Sequence, residues 1–470
     1  MAKDGFKVFD SDMHVVEPAD LWDRYIDPAY RDRAPKGLSR HPRDLGIQLG
    51  GNIYPAENHS YTNAITPIMT RQMDVYSASE AQNWNSDSQV TAMDNEGIDL
   101  AVMFPSRGLF SLGRDDIEPG LATAISRGYN DWLSDFCSGS DRLFGAGMIP
   151  PHDVGGAIEE AKRVVGELGF KTVFIRPNLV NGRNWHDPHY DPLWAEIERL
   201  GVPLSFHEGG RVDLPQPGDN FETHMLYHTC THPMAMMLAA VDLVGGGVLE
   251  RFPNLTVAFL EGNCSWAPWL LWRLDEHYEM SASYDHPDLT MEPSEYFRRQ
   301  CYLSVECDEE PAEIVSKYGL EDNIVFSTDY PHADSKYPKS VERFLQAANS
   351  RDLTSMGRLF GTEDGPMGDT GSTFGCMFKK IGSWFGGLPC RTRQDVEIQM
   401  NAISSVLVHQ NYRIVREEMV AGRDAPTTRV LVDLTIGGRS VQSIPFEVVQ
   451  AGGGRWLIQN VDLSAVMARR

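Results

Sequence analysis

Eight short runs rich in β-branched and aromatic residues recur between Phe6 and His332, each followed by a loop and then by a helix-forming stretch. They read FKVFDSDMH, DLAVMFPS, RLFGAGMIP, KTVFIRPN, VPLSFHEGG, LTVAFLEGN, CYLSVE and NIVFSTDYPH, and VGGAIEEAKRVVGELG, PLWAEIERL and PMAMMLAAVDLVG are clear helices between them. Runs of this length and composition are strands buried on both faces, and their alternation with helices is the pattern of a parallel sheet. Eight such units predict a (β/α)8 TIM barrel, whose chemistry sits at the C-terminal ends of the strands. The expected fold class is therefore α/β over residues 1–345, followed by a small α+β domain over 346–470.

That rule gives the polar residues of the runs a common address. Asp12 and His14 end the first run, His207 ends the fifth in LSFHEGG, and Asp329 ends the eighth in FSTDYPH. Side chains alternate along a strand, so Asp12 and His14 point the same way. Two imidazoles and two carboxylates at one mouth suit Zn²⁺ or a harder divalent ion such as Mn²⁺, with a position left for water or substrate. Any one of these residues alone is more often a hydrogen-bonded histidine or a helix-capping acid. Their joint placement on strands one, five and eight is what argues for a metal.

Composition narrows the partners. The net charge of −24 disfavours a nucleic-acid or anionic-membrane surface, both of which rely on a basic footprint. Residues 341–470 hold 15 basic and 13 acidic residues, so the acidity belongs to the part before them, and such a shift supports two domains. Seven cysteines (Cys137, Cys230, Cys264, Cys301, Cys307, Cys376 and Cys390) are scattered without a CxxC pair, which predicts reduced thiols. No apolar run approaches the ~20 residues that span a bilayer, and MAKDGFKVFD has no apolar signal core, so a soluble cytoplasmic protein is expected.

SDMHVVEP at the first strand, FHEGG at the fifth, LEGNCSWAPWLLWRLDE from the sixth and FSTDYPHADSKYP at the eighth occur in that order. Together they resemble the amidohydrolase-related family, in the branch of the aminocarboxymuconate semialdehyde and resorcylate decarboxylases. The likeness covers residues 6 to about 345. It implies a barrel of the metal-dependent hydrolase type, acting on small, often aromatic or carboxylate-bearing substrates by C–C or C–N bond hydrolysis or by non-oxidative decarboxylation. Carried onto this chain, the family's ligands fall on Asp12, His14, His207 and Asp329. FIRPN closes strand four without a lysine, so the carboxylated lysine of dinuclear members has no counterpart and one ion is expected. Where the family usually ends strand six with a catalytic histidine, AFLEGN places Glu261, either a general acid or base or a brace for a ligand imidazole.

Other candidates line the expected mouth. Arg176 ends strand four and would clamp a substrate carboxylate, unless it is held in a structural ion pair. His232 and His332 are placed to move a proton. The segment 211–231, with His224, Tyr227 and the candidate substrate contact His228, is expected as a surface loop or lid, and Glu17 in EPADLW either approaches the metal or starts a helix. In a hydrolase Asp329, with Glu261, would take a proton from activated water; in a decarboxylase the ion would hold the substrate's carboxylate while an acid protonates the carbon left behind. The expected partner is a small-molecule substrate and the expected assembly a dimer. The rival reading is a barrel that has lost catalysis and serves as a binding or scaffolding protein.

Beyond residue 338, SVERFLQAANSRDLTSMGRLFG reads as one or two helices and TEDGPMGDTGSTFG as a Gly-rich linker near 361–375. RQDVEIQMNAISSVLVHQ is an amphipathic helix, and RVLVDLTIGG, SVQSIPFEVVQA and GRWLIQNVDL predict an antiparallel meander. Helices before a meander ending in RWLIQNVD resemble the nuclear-transport-factor-2-like cone fold, common in small-molecule binding and dimerisation modules.

Overall fold

The computed structural model of the chain describes residues 8–40, 44–56, 76–286, 288–305, 318–332, 406–451 and 456–469, with positions 309, 314–315, 360–362, 365–366, 400 and 403–404 besides. The chain divides into two compact units, Met1–Tyr337 and Pro338–Arg470. In the first unit the eight runs form β1 (Phe9–Val15), β2 (Leu100–Pro105), β3 (Leu143–Met148), β4 (Thr172–Ile175), β5 (Leu204–His207), β6 (Val257–Leu260), β7 (Cys301–Val305) and β8 (Ile324–Phe326). They pair in sequence order, every neighbour parallel. This is the TIM barrel expected.

The sheet closes through a seam between β1 and the residues after β8. Asp329 N donates to Asp12 O at 3.1 Å and His14 N to Tyr330 O at 2.7 Å. Ser11 Oγ donates to Phe326 O at 2.7 Å, and the Asp10 carboxylate accepts from Thr328 Oγ1, Thr328 N and Asp12 N. Asp10 is fully buried, and desolvation pushes its carboxyl up to about 7 despite those bonds. It was not singled out in sequence, although in FDSDMH it stands two residues before Asp12.

The layer around the sheet is built from α1 (Ser86–Glu96), α2 (Pro119–Cys137), α3 (Val154–Gly166), α4 (Asp191–Leu200), α5 (His224–Ala240), α6 (Ala267–Asp285) and α7 (Pro293–Gln300). Helix α3 shows the local logic. The Asp153 side chain caps its start by accepting from Gly156 N at 3.0 Å, and Ala157, Glu160, Ala161 and Val164 recur at helical spacing to bury one face. Gly147 of β3 lets that face close in, since a Cβ there would lie 2.6 Å from the Val164 side chain. Helix α5 begins at His224, so half of the expected loop 211–231 is helix, and Tyr227 is buried with its hydroxyl donating to Gln216 Oε1 at 3.0 Å. Among the described residues no helix is long and apolar enough to cross a membrane.

The second unit contains an antiparallel meander of β9 (Asn411–Met419), β10 (Thr427–Ile436), β11 (Arg439–Gln450) and β12 (Trp456–Val461). Its core packs Val430, Val432, Leu434, Ile444, Phe446 and Ile458 with Met400, Ile403 and Leu407 of the amphipathic segment. The meander has one strand more than expected. NYRIVREEM escapes a strand reading because it is an outer strand whose charged residues face water. The helices expected from 341 and most of the linker 361–375 lie outside the described residues.

Candidate metal centre

Each strand end brings one part of the site. Asp12 and His14 project from β1 and His207 from the end of β5, all three fully buried. His207 Nε2 lies 3.1 Å from Asp12 Oδ1, and His14 Nε2 lies 3.5 Å from the same oxygen and 3.2 Å from Asp329 Oδ1. Both rings are oriented from behind: His14 Nδ1 bonds Pro105 O at 2.8 Å and His207 Nδ1 bonds Glu208 O at 2.8 Å, which turns each Nε2 lone pair toward the carboxylates. Phe104 stacks on His207 at 5.0 Å, and Gln89 Nε2 donates to His14 O at 3.1 Å.

Glu261 and His332 extend this set. His332 Nδ1 lies 2.8 Å from Asp329 Oδ1 and 3.5 Å from Glu261 Oε1, its ring stacked 3.9 Å from that of His14. His232 Nε2 reaches Glu261 Oε1 at 3.4 Å, and His207 Nδ1 lies 3.6 Å from Glu261 Oε2. Glu261 and Asp329 both hold left-handed backbone, φ 51° and 53°, a conformation that costs a non-glycine residue on the order of 1 kcal/mol and gathers at functional sites.

The electrostatics follow from three carboxylates and four imidazoles in one dry mouth. Burial opposes ionisation of Asp12, yet His207 and His14 hold its carboxyl below the usual range, and His332 and His14 do the same for Asp329. Burial and His332 oppose charge on His14, but Asp12 and Asp329 outweigh them and push it up to about 9. Burial, with His228 and His207, holds His232 well below its ordinary value, as a neutral base.

Among the described residues Asp12 Oδ2, His14 Nε2 and Asp329 Oδ1 have close neighbours but no aligned hydrogen bond. Buried donors and acceptors are rarely left so. Two groups of donor atoms fall within 4.8 Å of one another, Asp12, His14 and His207, and His14, Glu261, Asp329 and His332. Their separations match the ~3.4 Å between ligands on a tetrahedral shell of about 2.1 Å radius. The donor set therefore fits a divalent cation.

Three candidates are placed elsewhere. Arg176 spends its donors on the protein: Nη2 on Glu208 Oε1, Nη1 on Leu109 O at 2.7 Å and Nε on Asn178 Oδ1 at 3.0 Å. Glu208, fully buried beneath it, also accepts from Gln216 Nε2 at 2.8 Å and Asn178 Nδ2 at 3.1 Å. The guanidinium is a brace under the β5 loop, because a buried carboxylate on the next strand claims it first. Glu17 is likewise engaged, its carboxylate accepting from the backbone N–H groups of Ser106, Arg107 and Gly108. His228 stands one turn of α5 beyond His232, rings 4.5 Å apart, and contacts His232 rather than the ligand cluster.

A family model described as Amidohydrolase matches residues 9–354. The chain is 27% identical over 257 residues to a 2-amino-3-carboxymuconate-6-semialdehyde decarboxylase of Dictyostelium discoideum, which covers 53% of this chain and 67% of that protein. It is 30% identical over 255 residues to a gamma-resorcylate decarboxylase of Rhodococcus jostii strain RHA1, covering 50% and 75%. In structure it resembles an amidohydrolase of Mycobacterium avium subsp. paratuberculosis K-10, with a TM-score of 0.58 at 22% identity over 71% of this chain and 90% of that one. It also resembles a 5-carboxyvanillate decarboxylase of Novosphingobium aromaticivorans solved with bound manganese, with a TM-score of 0.51 at 18% identity over 73% and 92%.

Proposed function

Because this chain belongs to the amidohydrolase family, we propose that it is a metal-dependent enzyme of that family, a carboxy-lyase or hydrolase, and more narrowly a non-oxidative decarboxylase of small aromatic carboxylates. The observation that carries the reading is the convergence of Asp12, His14, His207 and Asp329 on one buried point with unsatisfied donor atoms. These four would hold one divalent ion, Zn²⁺ or Mn²⁺, the two imidazoles fixed as neutral ligands by Pro105 O and Glu208 O. When bound, the ion supplies a Lewis acid that binds a carboxylate and withdraws electron density.

The chain's own residues then supply the proton. Decarboxylation breaks the bond between ring carbon and carboxyl, leaves the electron pair on the ring, and needs one proton delivered there. Glu261 stands between His232 and His332, so it is the group best placed to donate, with the two imidazoles to reload it. Ser106 Oγ, 3.3 Å from His332 Nε2, fixes the far edge of that ring. The decarboxylases to which the chain is similar are named for resorcylate and a carboxymuconate semialdehyde, which supports a planar carboxylate as substrate. For the second unit, the cone-like binding or dimerisation module stays a proposal, supported by its meander around an apolar core.

The test is metal analysis joined to turnover. Protein from medium containing Zn²⁺ and Mn²⁺ should carry about one divalent ion per chain and release CO₂ from a panel of hydroxybenzoates. An ion with turnover only of amides or lactones would reassign it as a hydrolase. Absence of both ion and turnover would leave the scaffold reading.

A further inference from the structure

A groove of about 1200 Å³ runs between α5 and α6, on the outer side of the barrel, and none of Asp12, His14, His207, Glu261 or Asp329 lines it. Its walls and rims are apolar and open to water. Helix α5 contributes Met234, Leu238 and Val241, and α6 contributes Trp269 and Arg273 to the lining, with Trp272, Met280 and Tyr284 exposed further along α6. Trp269 is 56% exposed, Trp272 50%, Leu238 62%, Met280 65% and Tyr284 71%. A surface helix normally turns such residues inward. Together these side chains present on the order of 900 Å² of apolar surface, above the ~300–600 Å² of the largest patch on a typical monomer and close to the ~800 Å² that each partner of a standard interface buries.

The order of residues on α6 says what the partner is. Trp269, Arg273, Glu276 and Met280 are spaced i, i+4, i+7 and i+11, so they form one stripe, and all four face solvent. Read along the helix the stripe runs apolar, cationic, anionic, apolar. Reversed it runs apolar, anionic, cationic, apolar. An antiparallel copy about a point between Leu274 and Asp275 therefore sets Trp269 against the partner's Met280 and Arg273 against the partner's Glu276, twice over. Neither Arg273 nor Glu276 makes an ion pair among the described residues of its own chain. Self-complementarity of this kind is the requirement of a two-fold interface, in which one patch must meet itself.

We propose that the α5–α6 face is the contact of a two-fold homodimer, centred on the stripe Trp269, Arg273, Glu276 and Met280. Tryptophan, arginine and methionine are the residues enriched where interfaces bind, and the groove beside the stripe receives the partner's protruding side chains. The face lies outside the metal cluster, so the inference stands apart from the proposed reaction.

Sedimentation equilibrium of the full chain tests it. The parent should run at twice the 52.6 kDa of one chain at micromolar concentration. Arg273→Glu and Glu276→Arg should each weaken association at least tenfold, since each sets like charges together in both symmetric pairs. The double variant Arg273→Glu/Glu276→Arg restores both pairs and should associate within a few-fold of the parent, which also shows that the single variants can fold. Trp269→Ala should weaken association without a charge change. A monomeric parent, a dimer indifferent to all these substitutions, or a double variant as weak as the singles would each overturn the proposal.

Discussion

At the scale of single residues, the site divides groups that hold an ion from groups that move a proton, and substitution should separate them. His14→Ala or His207→Ala removes a nitrogen oriented by a backbone carbonyl and should release most of the metal, read by elemental analysis. Glu261→Gln should keep the metal and lower turnover at least about a hundredfold, the usual scale of acid-base assistance. Normal turnover in that variant would demote Glu261 to a brace for His207. The metal-free protein has its own signature. His14 is pushed up to about 9 from an ordinary 6.5, so its contribution to stability is complete below pH 6.5 and lost as pH rises through 9. The chelated protein should therefore lose on the order of a few kcal/mol between those values, a loss that His14→Ala should not show. Metal affinity should rise over the same range, because the ion must displace that proton. The strand-end acids and histidines were legible because a barrel strand can deliver its last residues only to the mouth. Arg176 and Glu17 were not, because a sequence shows that a donor or acceptor exists and not which buried partner claims it.

At the scale of elements, the brace under β5 is the sharpest case. Arg176→Ala would leave Glu208 buried without its cation, so a loss of about 3–5 kcal/mol is expected, read as a lower urea midpoint at unchanged slope. Adding Glu208→Leu to Arg176→Met removes both charges and should recover much of it, which a substrate-binding role for Arg176 would not predict for activity. The barrel strands were readable because both faces are buried and the runs are continuously apolar. Strand β9 was not, because Arg413, Arg416, Glu417 and Glu418 interrupt it on a face turned to water. The missed helical start at His224 has a related cause: three histidines at i, i+4 and i+8 look polar in sequence, yet their rings stack along one side of α5 toward Glu261.

At the scale of the whole molecule, the ion and the fold should report on each other. It binds only where β1, β5 and the end of β8 have met, so chelation should lower the parent's melting temperature and barely change that of His207→Ala. Limited proteolysis should cut between about 361 and 375, where the chain is Gly-rich and polar, and leave two resistant fragments; cuts within 232–332 instead would count against the barrel boundary. The seam that closes the barrel also sets a timetable for synthesis. Asp12 and Asp329 are joined in space but separated by roughly 320 residues, which at ~5–20 residues per second means that the first strand waits on the order of 15 to 60 seconds for its neighbour. Throughout that wait its unpaired edge invites pairing with other nascent chains, and the buried carboxylates of Asp10 and Asp12 are the charges that discourage it. The C-terminal unit follows β8 on the ribosome, so its translation gives the barrel time to close and take up its ion while the chain is still tethered.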